Sequence, residues 1–457
     1  MSALLLLCAS HFMDAIDLSD VGVALPAIQH DLAMTSGSLQ WIISAYALGY
    51  GGFLLLGGRA ADLLGRRRVF MVAVAVFAAV SVLGALAPTG GLLIAARLVK
   101  GIAAGFLAPA ALSIITTSWP DGAARGRALG WYATAGATGF VSGLVLGGVL
   151  TEVSWRLVFA LPVPIAVAAL IAAPRLLPAD TPATGRGRID VPGALTATGG
   201  LLLLVYAIAQ APQYGWTSAS TGVLFAAAGL LLAAFAGIES RSRRPLVPLP
   251  FLTRRSTLRT NLTIFAMWGG YTSFAFLATL YLQNVLGWSA LQTAGAFVPL
   301  GLVNGALAPF AGRLAARFGA HRMIAVGMLL LAASYALFFR IGPDTSFAAV
   351  VLPVMVLNGL GTACTFPALN MLAVSGVPDR DQGLAGALLN TSMQIGGAVV
   401  LAIVTAVVEA GQQGNSSNPS AGYDAGTAVI VGVIVAGLAA SLLIPLRTPT
   451  AHHDPAR

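Results

Sequence analysis

Residues 11–28, HFMDAIDLSDVGVALPAI, place Asp14, Asp17 and Asp20 inside an otherwise apolar stretch. Read as a helix, their three-residue spacing stacks the carboxylates along one broad face and carries them through about 9 Å of rise. An ionisable group at the centre of a bilayer costs at least about 2.5–3.5 kcal/mol, so such a face turns to a bundle interior or a wet cavity and finds partners there. A later apolar run, LLIAARLVKGIAAGFLAPA, supplies Arg97 and Lys100, also three residues apart. Three acids against two bases leave one carboxylate unmatched, and a buried acid without its own cation is a group that can gain and lose a proton. The chemistry these types and spacings suggest is proton coupling through Asp17, Asp14, Asp20, Arg97 and Lys100. The plainer reading is a static ion pair of Asp17 with Arg97, Asp14 paired with Lys100, and Asp20 ending the helix. His11, on the same apolar segment, reads first as a packing residue.

Elements that hold such groups must span lipid. The chain has 457 residues, 57% hydrophobic and only 9% charged, with a mean hydropathy of +0.85, which excludes a set of soluble domains and predicts an all-α polytopic membrane protein. Fifty-three glycines suit helices that approach closely through small residues. The net charge of +9 invites a nucleic-acid reading, but the bases are scattered through short loops instead of forming one soluble face, so no nucleic-acid partner is implied. Cys8 and Cys364 lie far apart in apolar runs, and His452 and His453 sit in a polar tail, so neither a disulfide, a metal site nor a cofactor is implied. No Ser/His/Asp arrangement or phosphate loop points to an enzyme. No basic leader precedes the first run, and acids at 14–20 are foreign to a cleaved signal peptide.

Apolar runs near 3–27, 38–62, 69–87, 91–117, 126–150, 157–173, 191–210, 219–238, 257–285, 291–316, 322–341, 347–374, 382–409 and 425–446 predict 14 transmembrane helices. The runs 257–285 and 347–374 are long enough to hold interfacial turns. With the amino terminus inside, 21 of the 25 Lys and Arg fall in cytoplasmic loops and tails; Arg156 and Arg340 fall outside, and Arg97 and Lys100 are embedded. That asymmetry puts both termini in the cytoplasm. GRAADLLGRRR at 58–68 and GRLAARFGAHR at 312–322 share a frame, each after a long apolar run, and PDGAARGRALG at 120–130 is loosely echoed by PDRDQGLAG at 378–386. The simplest parse is six helices in 1–174, two inserted helices with flanking loops in 175–247, and six helices with a short tail in 248–457.

GRAADLLGRRR, FMDAIDLSDVGVALPAI, QWIISAYAL, WRLVFALPVPI, LYLQNVLGWSALQTAG and LLNTSMQIGGA together resemble the 14-helix drug:proton antiporter branch of the major facilitator superfamily, over nearly the whole chain. The resemblance implies a major facilitator fold in a bacterial inner (plasma) membrane, a small-molecule substrate, protons as the coupled ion, the lipid bilayer as surroundings and a monomer. It puts the branch's helix 1 acid on Asp17 and its helix 4 arginine on Arg97. The loop signature falls on Gly58, Asp62, Gly65, Arg66 and Arg67 and, with Arg59, forms a candidate cytoplasmic gate, in which Asp62 four residues before Arg66 can latch two helices. The helix 5 antiport motif falls on GFVSGLVLGG, with Gly139, Gly143, Gly147 and Gly148, which also suit tight packing. Lys100 stands where that branch usually has Gln, Leu144 where it has Pro, and Asp14 and Asp20 are additional acids. The absent proline keeps open an importer or symporter of the same fold beside an exporter; a membrane sensor would need a soluble domain.

The last six runs carry no obvious mid-membrane charge. Asn304, Asn358, Asn370, Asn390 and Gln394 lie among apolar residues, as does Asn261, with Trp268, Tyr271 and Tyr281 near the ninth run. Together with Tyr46 and Trp131 from the first half they are candidates to line a cavity for a bulky, partly hydrophobic solute. The alternative for the amides is interhelical hydrogen bonding, worth about 0.6 kcal/mol each.

Overall fold

Without water in the hydrocarbon core, each segment must satisfy its own backbone, and every run becomes a helix. The computed structural model describes all residues except 1, 120–122, 181–190, 243–253, 308–309, 341–344, 376, 378, 415–420 and 443–457. Arg186, Arg188, Arg243, Arg244, Arg447, Arg457, His452 and His453, and parts of both PD-containing loops, therefore lie outside the described residues.

Among the described residues, fourteen helices are long and apolar enough to cross a membrane. They are α1 (Ser2–Asp31), α2 (Ser36–Leu64), α3 (Arg66–Ala85), α4 (Gly90–Ser118), α5 (Arg127–Val153), α6 (Trp155–Leu176), α7 (Val191–Ala211) and α8 (Ala219–Arg241). The others are α9 (Arg255–Val285), α10 (Ala290–Leu307), α11 (Ala320–Phe338), α12 (Phe347–Val374), α13 (Leu384–Gln412) and α14 (Gly422–Leu442). No strand occurs among the described residues. The two runs long enough for interfacial turns each contain a π-helical turn, Tyr281–Val285 and Phe347–Val351. The run 291–316 is the one that differs: α10 ends at Leu307, and Ala311–Phe318 forms a separate short helix. That segment concentrates its arginines, Arg313 and Arg317, on one side of an otherwise apolar helix, so it lies better at the interface than across the bilayer.

The packing repeats. In the first half α1 pairs with α5, α2 with α4 and α3 with α6; in the second, α9 pairs with α13, α10 with α12 and α11 with α14. Small residues make the approaches possible where lipid gives no hydrophobic drive. A Cβ on Gly101 would run into the backbone of Tyr46, on Gly57 into Gly105 and Phe106, on Gly143 into Ile16, and on Gly396 into Phe265. The halves meet along two seams, α2 with α13 and α5 with α10. The inserted pair breaks the symmetry: α7 packs on both α2 and α13 through Val205 and Ile208 against Ala47, Leu48, Ala398 and Ala402, while α8 packs on α7.

The repeated loop signature has a backbone cause. Gly65 between α2 and α3 has φ 101°, and Gly319, before α11, has φ 84°. Both are left-handed, and any other residue there would be strained. Asp180 then accepts hydrogen bonds from the N–H groups of Arg67 (2.9 Å) and Arg68 (3.0 Å), satisfying two open donors at the start of α3.

Gly101→Val should lower the folded protein's stability by about 1–3 kcal/mol, because it overpacks the α2–α4 contact. The same change at Gly222 of α8, which has nothing within 4 Å of the added carbon, should leave the thermal midpoint in detergent unchanged. Equal midpoints for the two variants would contradict this account of the packing.

Candidate functional site

Close approach of α2 and α4 aims Arg97 and Lys100 at α1. Both reach the same acid. Arg97 Nη1 lies 2.6 Å from one oxygen of Asp17, and Lys100 Nζ bonds the other. All three side chains are almost completely buried. Arg97 also donates from Nε to the Ile42 carbonyl at 2.8 Å and sits 4.3 Å above the Tyr46 ring. Lys100 lies 4.7 Å from the Phe77 ring centre and 5.7 Å from that of Phe159.

This corrects the one-to-one matching of acids and bases. Among the described residues two carboxylates, not one, are left without a cation, and Lys100 does not pair with Asp14. The cause is helical geometry: a three-residue step turns the side chain by about 60°, so Asp14 and Asp20 point to either side of Asp17. Asp14 reaches α2 and accepts a 2.7 Å hydrogen bond from the Tyr46 hydroxyl. Asp20 turns to α5, where its backbone and Cβ press on Gly147, and neither of its oxygens has a side-chain hydrogen-bond partner among the described residues. An unpartnered polar group in the interior is costly, so a single buried acid of this kind calls for an explanation. His11 stacks on Tyr132 of α5 with ring centres 4.2 Å apart, and its Nδ1 is buried without a partner.

Beside this cluster lies a cavity of about 80 Å³ between the halves, room for several waters at roughly 10–15 Å³ each. Arg97 and Tyr46 form part of its wall, with Leu18, Ser19 and Gly22 from α1 and Phe140 from α5. The second half contributes Trp268, Tyr271, Phe276, Phe297 and Gln394. Trp268 and Tyr271 stack at 5.1 Å. Of the candidate cavity residues, Tyr46, Trp268, Tyr271 and Gln394 are thus brought together.

The rest are not. Trp131 is 65% exposed, because α5 turns its glycines and the adjacent Tyr132 toward α1 and so points Trp131 away. Asn358 donates to the Tyr335 hydroxyl (3.3 Å) inside the second half, and Asn370 and Asn390 bond carbonyls one turn back on their own helices, Phe366 and Gly386. Asn304 is half-buried and outside the wall of this cavity. Phe140, Phe276 and Phe297 were not singled out from the sequence, although Phe140 stands within GFVSG.

Gly139, Gly143 and Gly147 form the contact line of α5 on α1, against Phe12, Ile16 and Asp20 in turn, and Gly148 faces Ala290 and Ala294 of α10. At the end bearing the basic loops, Asp62 and Arg66 pair at 3.4 Å with side chains 52% and 38% exposed, a geometry worth little by itself. Gly58 meets only the Pro109 side chain, Arg59 is half-buried, and Arg67 Nη1 reaches the Leu177 carbonyl at 3.5 Å.

Two six-helix halves around a central cavity match known proteins. The model of the Major Facilitator Superfamily covers residues 7–401. The chain belongs to that superfamily. It is 39% identical over 411 residues to the puromycin resistance protein of Streptomyces alboniger, spanning 88% of this chain and 80% of that protein. It is 38% identical over 410 residues to the cephamycin export protein CmcT of Amycolatopsis lactamdurans, spanning 88% and 84%. Among solved structures, the nucleoside transporter NupG superposes with a TM-score of 0.68 over 97% of this chain and 99% of that one, at 13% identity. The POT family transporter PepTSo gives 0.70 over 96% and 97%, at 16% identity. As a major facilitator the chain is a multi-pass membrane transporter, not an enzyme.

Asp17→Asn should destabilise the transporter by about 3–5 kcal/mol, because it strands two buried cations. Asp20→Asn strands none and should cost clearly less. Thermal unfolding of both variants in detergent checks the order, and Lys100→Met added to Asp17→Asn should restore part of the loss.

Proposed function

We propose that this transporter exports an amphipathic, antibiotic-like small molecule in exchange for protons, by rocking residues 1–174 against residues 248–457. The observation that carries the reading is Arg97, which belongs both to the buried ion cluster and to the wall of the inter-half cavity. A proton arriving in the acid group weakens the hold of Asp17 on Arg97. The guanidinium then changes its contacts with the cavity and its solute. In the return step a solute entering the aromatic wall displaces the guanidinium toward Asp17 and favours proton release. Asp14, held by Tyr46, and Asp20, beside Gly147, are stations on either side of Asp17. Gly139, Gly143, Gly147 and Gly148 let α5 slide on α1 and α10 as the halves move.

Several features support the assignment. Mostly apolar and aromatic walls with a few polar groups suit a bulky, partly hydrophobic solute, and the relatives named for puromycin resistance and cephamycin export point to antibiotics. The loop bases favour cytoplasmic termini in a bacterial plasma membrane, and the chain works as a monomer in this reading. The Asp62–Arg66 pair, with Gly58, Arg59, Gly65 and Arg67, then lies on the cytoplasmic side, where it acts as a gate. One feature favours the second reading, import: Leu144 leaves α5 an unbroken helix over Ala123–Val153.

Everted vesicles loaded with a pH gradient decide between these. Puromycin, a cephamycin or ethidium should partly dissipate the gradient in vesicles that carry the protein, and Asp17→Asn should abolish the effect while protein remains in the membrane. Wild-type coupling in that variant removes Asp17 from the mechanism. Higher drug accumulation in cells with the gene than in cells without it reverses the direction of transport.

A further inference from the structure

At the end opposite the basic loops, the outer end in the orientation above, the halves are held by hydrogen bonds that cross between them. Glu152, next to last in α5, accepts the Leu291 N–H at 3.1 Å in the first turn of α10. Glu409, in the last turn of α13, accepts the Gly37 N–H at the start of α2. A Cβ on Gly37 would meet the Glu409 carboxyl group itself, so glycine is what leaves room for this acid. The second oxygen of Glu409 is buried and has no hydrogen-bond partner among the described residues. Its bond to α2 is therefore what holds the carboxylate in place.

These two contacts are one contact made twice. α5 and α13 are the fifth helices of their halves, and α2 and α10 are the second. In each case a carboxylate at the outer end of a fifth helix satisfies an open N–H at the start of the opposing half's second helix, where the helix dipole favours negative charge. Each sits at the outer end of one of the two seams. Below Glu152, Gly148 packs on Ala294 and Gly301 on Val141; below Glu409, Gly51 packs on Gln394 and accepts a hydrogen bond from Thr391 at 3.2 Å. Between the seams, Gln283 donates to the Val23 carbonyl (3.0 Å) and Asn284 to Gln29 (3.4 Å). The cavity cannot open outward without parting both carboxylates from their helix starts.

We infer that Glu152 and Glu409 are a paired latch that holds the outer mouth shut, and that its release is a required step toward the outward-open state. The inference rests on the alternating-access reading above, but not on the identity of the solute or of the coupled ion. The two caps act in parallel on one rigid-body motion, so loss of one weakens closure and loss of both weakens it further.

Thiol labelling tests this. Cys8→Ser and Cys364→Ser remove both native cysteines, and Thr272→Cys places one thiol in the cavity wall. A membrane-impermeant maleimide is added to intact cells, and the same reagent to everted vesicles. Glu152→Ala or Glu409→Ala should each raise the ratio of outside to inside labelling on the order of tenfold, as expected for loss of a hydrogen bond to a charged group. The double variant should raise it further. Gly37→Ala, which displaces the Glu409 carboxyl without altering it, should mimic Glu409→Ala. A merely structural role would lower protein yield and leave the ratio alone. An unchanged ratio in the membrane-inserted single variants and in Gly37→Ala overturns the latch, and these variants stand in should the double variant not fold. The assay needs neither solute nor gradient, so its failure leaves the export reading intact, and failure of export leaves the latch testable.

Discussion

Asp17 sits in a water-poor interior between two cations that both depend on it. A buried ion pair does not stabilise a protein by default, because desolvation of the charges can exceed their attraction. The arrangement survives only with good geometry and further bonds for every charge. Here Ile42 accepts from Arg97 Nε, and the rings of Tyr46, Phe77 and Phe159 face the cations. The glycine contacts between α2 and α4 and between α1 and α5 follow from this requirement. A looser bundle would place the charges beyond hydrogen-bond reach and leave them unpaired in a low dielectric.

The internal repeat gives the second half the same scaffold with a different filling. Where α1 carries acids, α9 carries Trp268, Tyr271 and Phe276 toward the cavity. The buried ion cluster thus lies in the first half, while both halves supply the wall of the cavity. The inserted pair adds an asymmetry that the repeat lacks. α7 bridges α2 and α13, so one seam is buttressed along its length while the α5–α10 seam is not.

Much of the fold was legible in the sequence because lipid makes hydropathy decisive: all 14 crossings and the signature at Gly65 and Gly319 follow from apolar length and from glycine's access to positive φ. What failed depended on direction around a helix. Trp131 and Tyr132 are neighbours of similar composition, yet one faces away and the other meets His11. The amides of Asn370 and Asn390 satisfy themselves on their own helices, an option that residue type cannot reveal. The shared partner of Arg97 and Lys100 was hidden for the same reason: spacing shows that three acids lie on one side of α1, but a 60° step decides which of them faces α4. Glu152 and Glu409 carried no sequence signal, since their partners are backbone N–H groups of distant helices.

The convergence of both bases on Asp17 changes what the additional acids can do. Had each base taken its own acid, protonating either paired acid would have stranded one cation. With Asp17 neutralising two, a proton placed there would strand both, whereas Asp14 and Asp20 can change protonation without breaking an ion pair. Asp17 is therefore the acid on which both cations depend, and Asp14 and Asp20 flank it outside the ion pairs. In the export reading proposed above, Asp17 is then the acid whose neutralisation lets Arg97 move. Arg97 rearranges only through the groups it touches, and those include the cavity wall. In that reading a solute that presses the guanidinium back toward Asp17 opposes the proton, which ties proton release to occupancy without any long-range pathway.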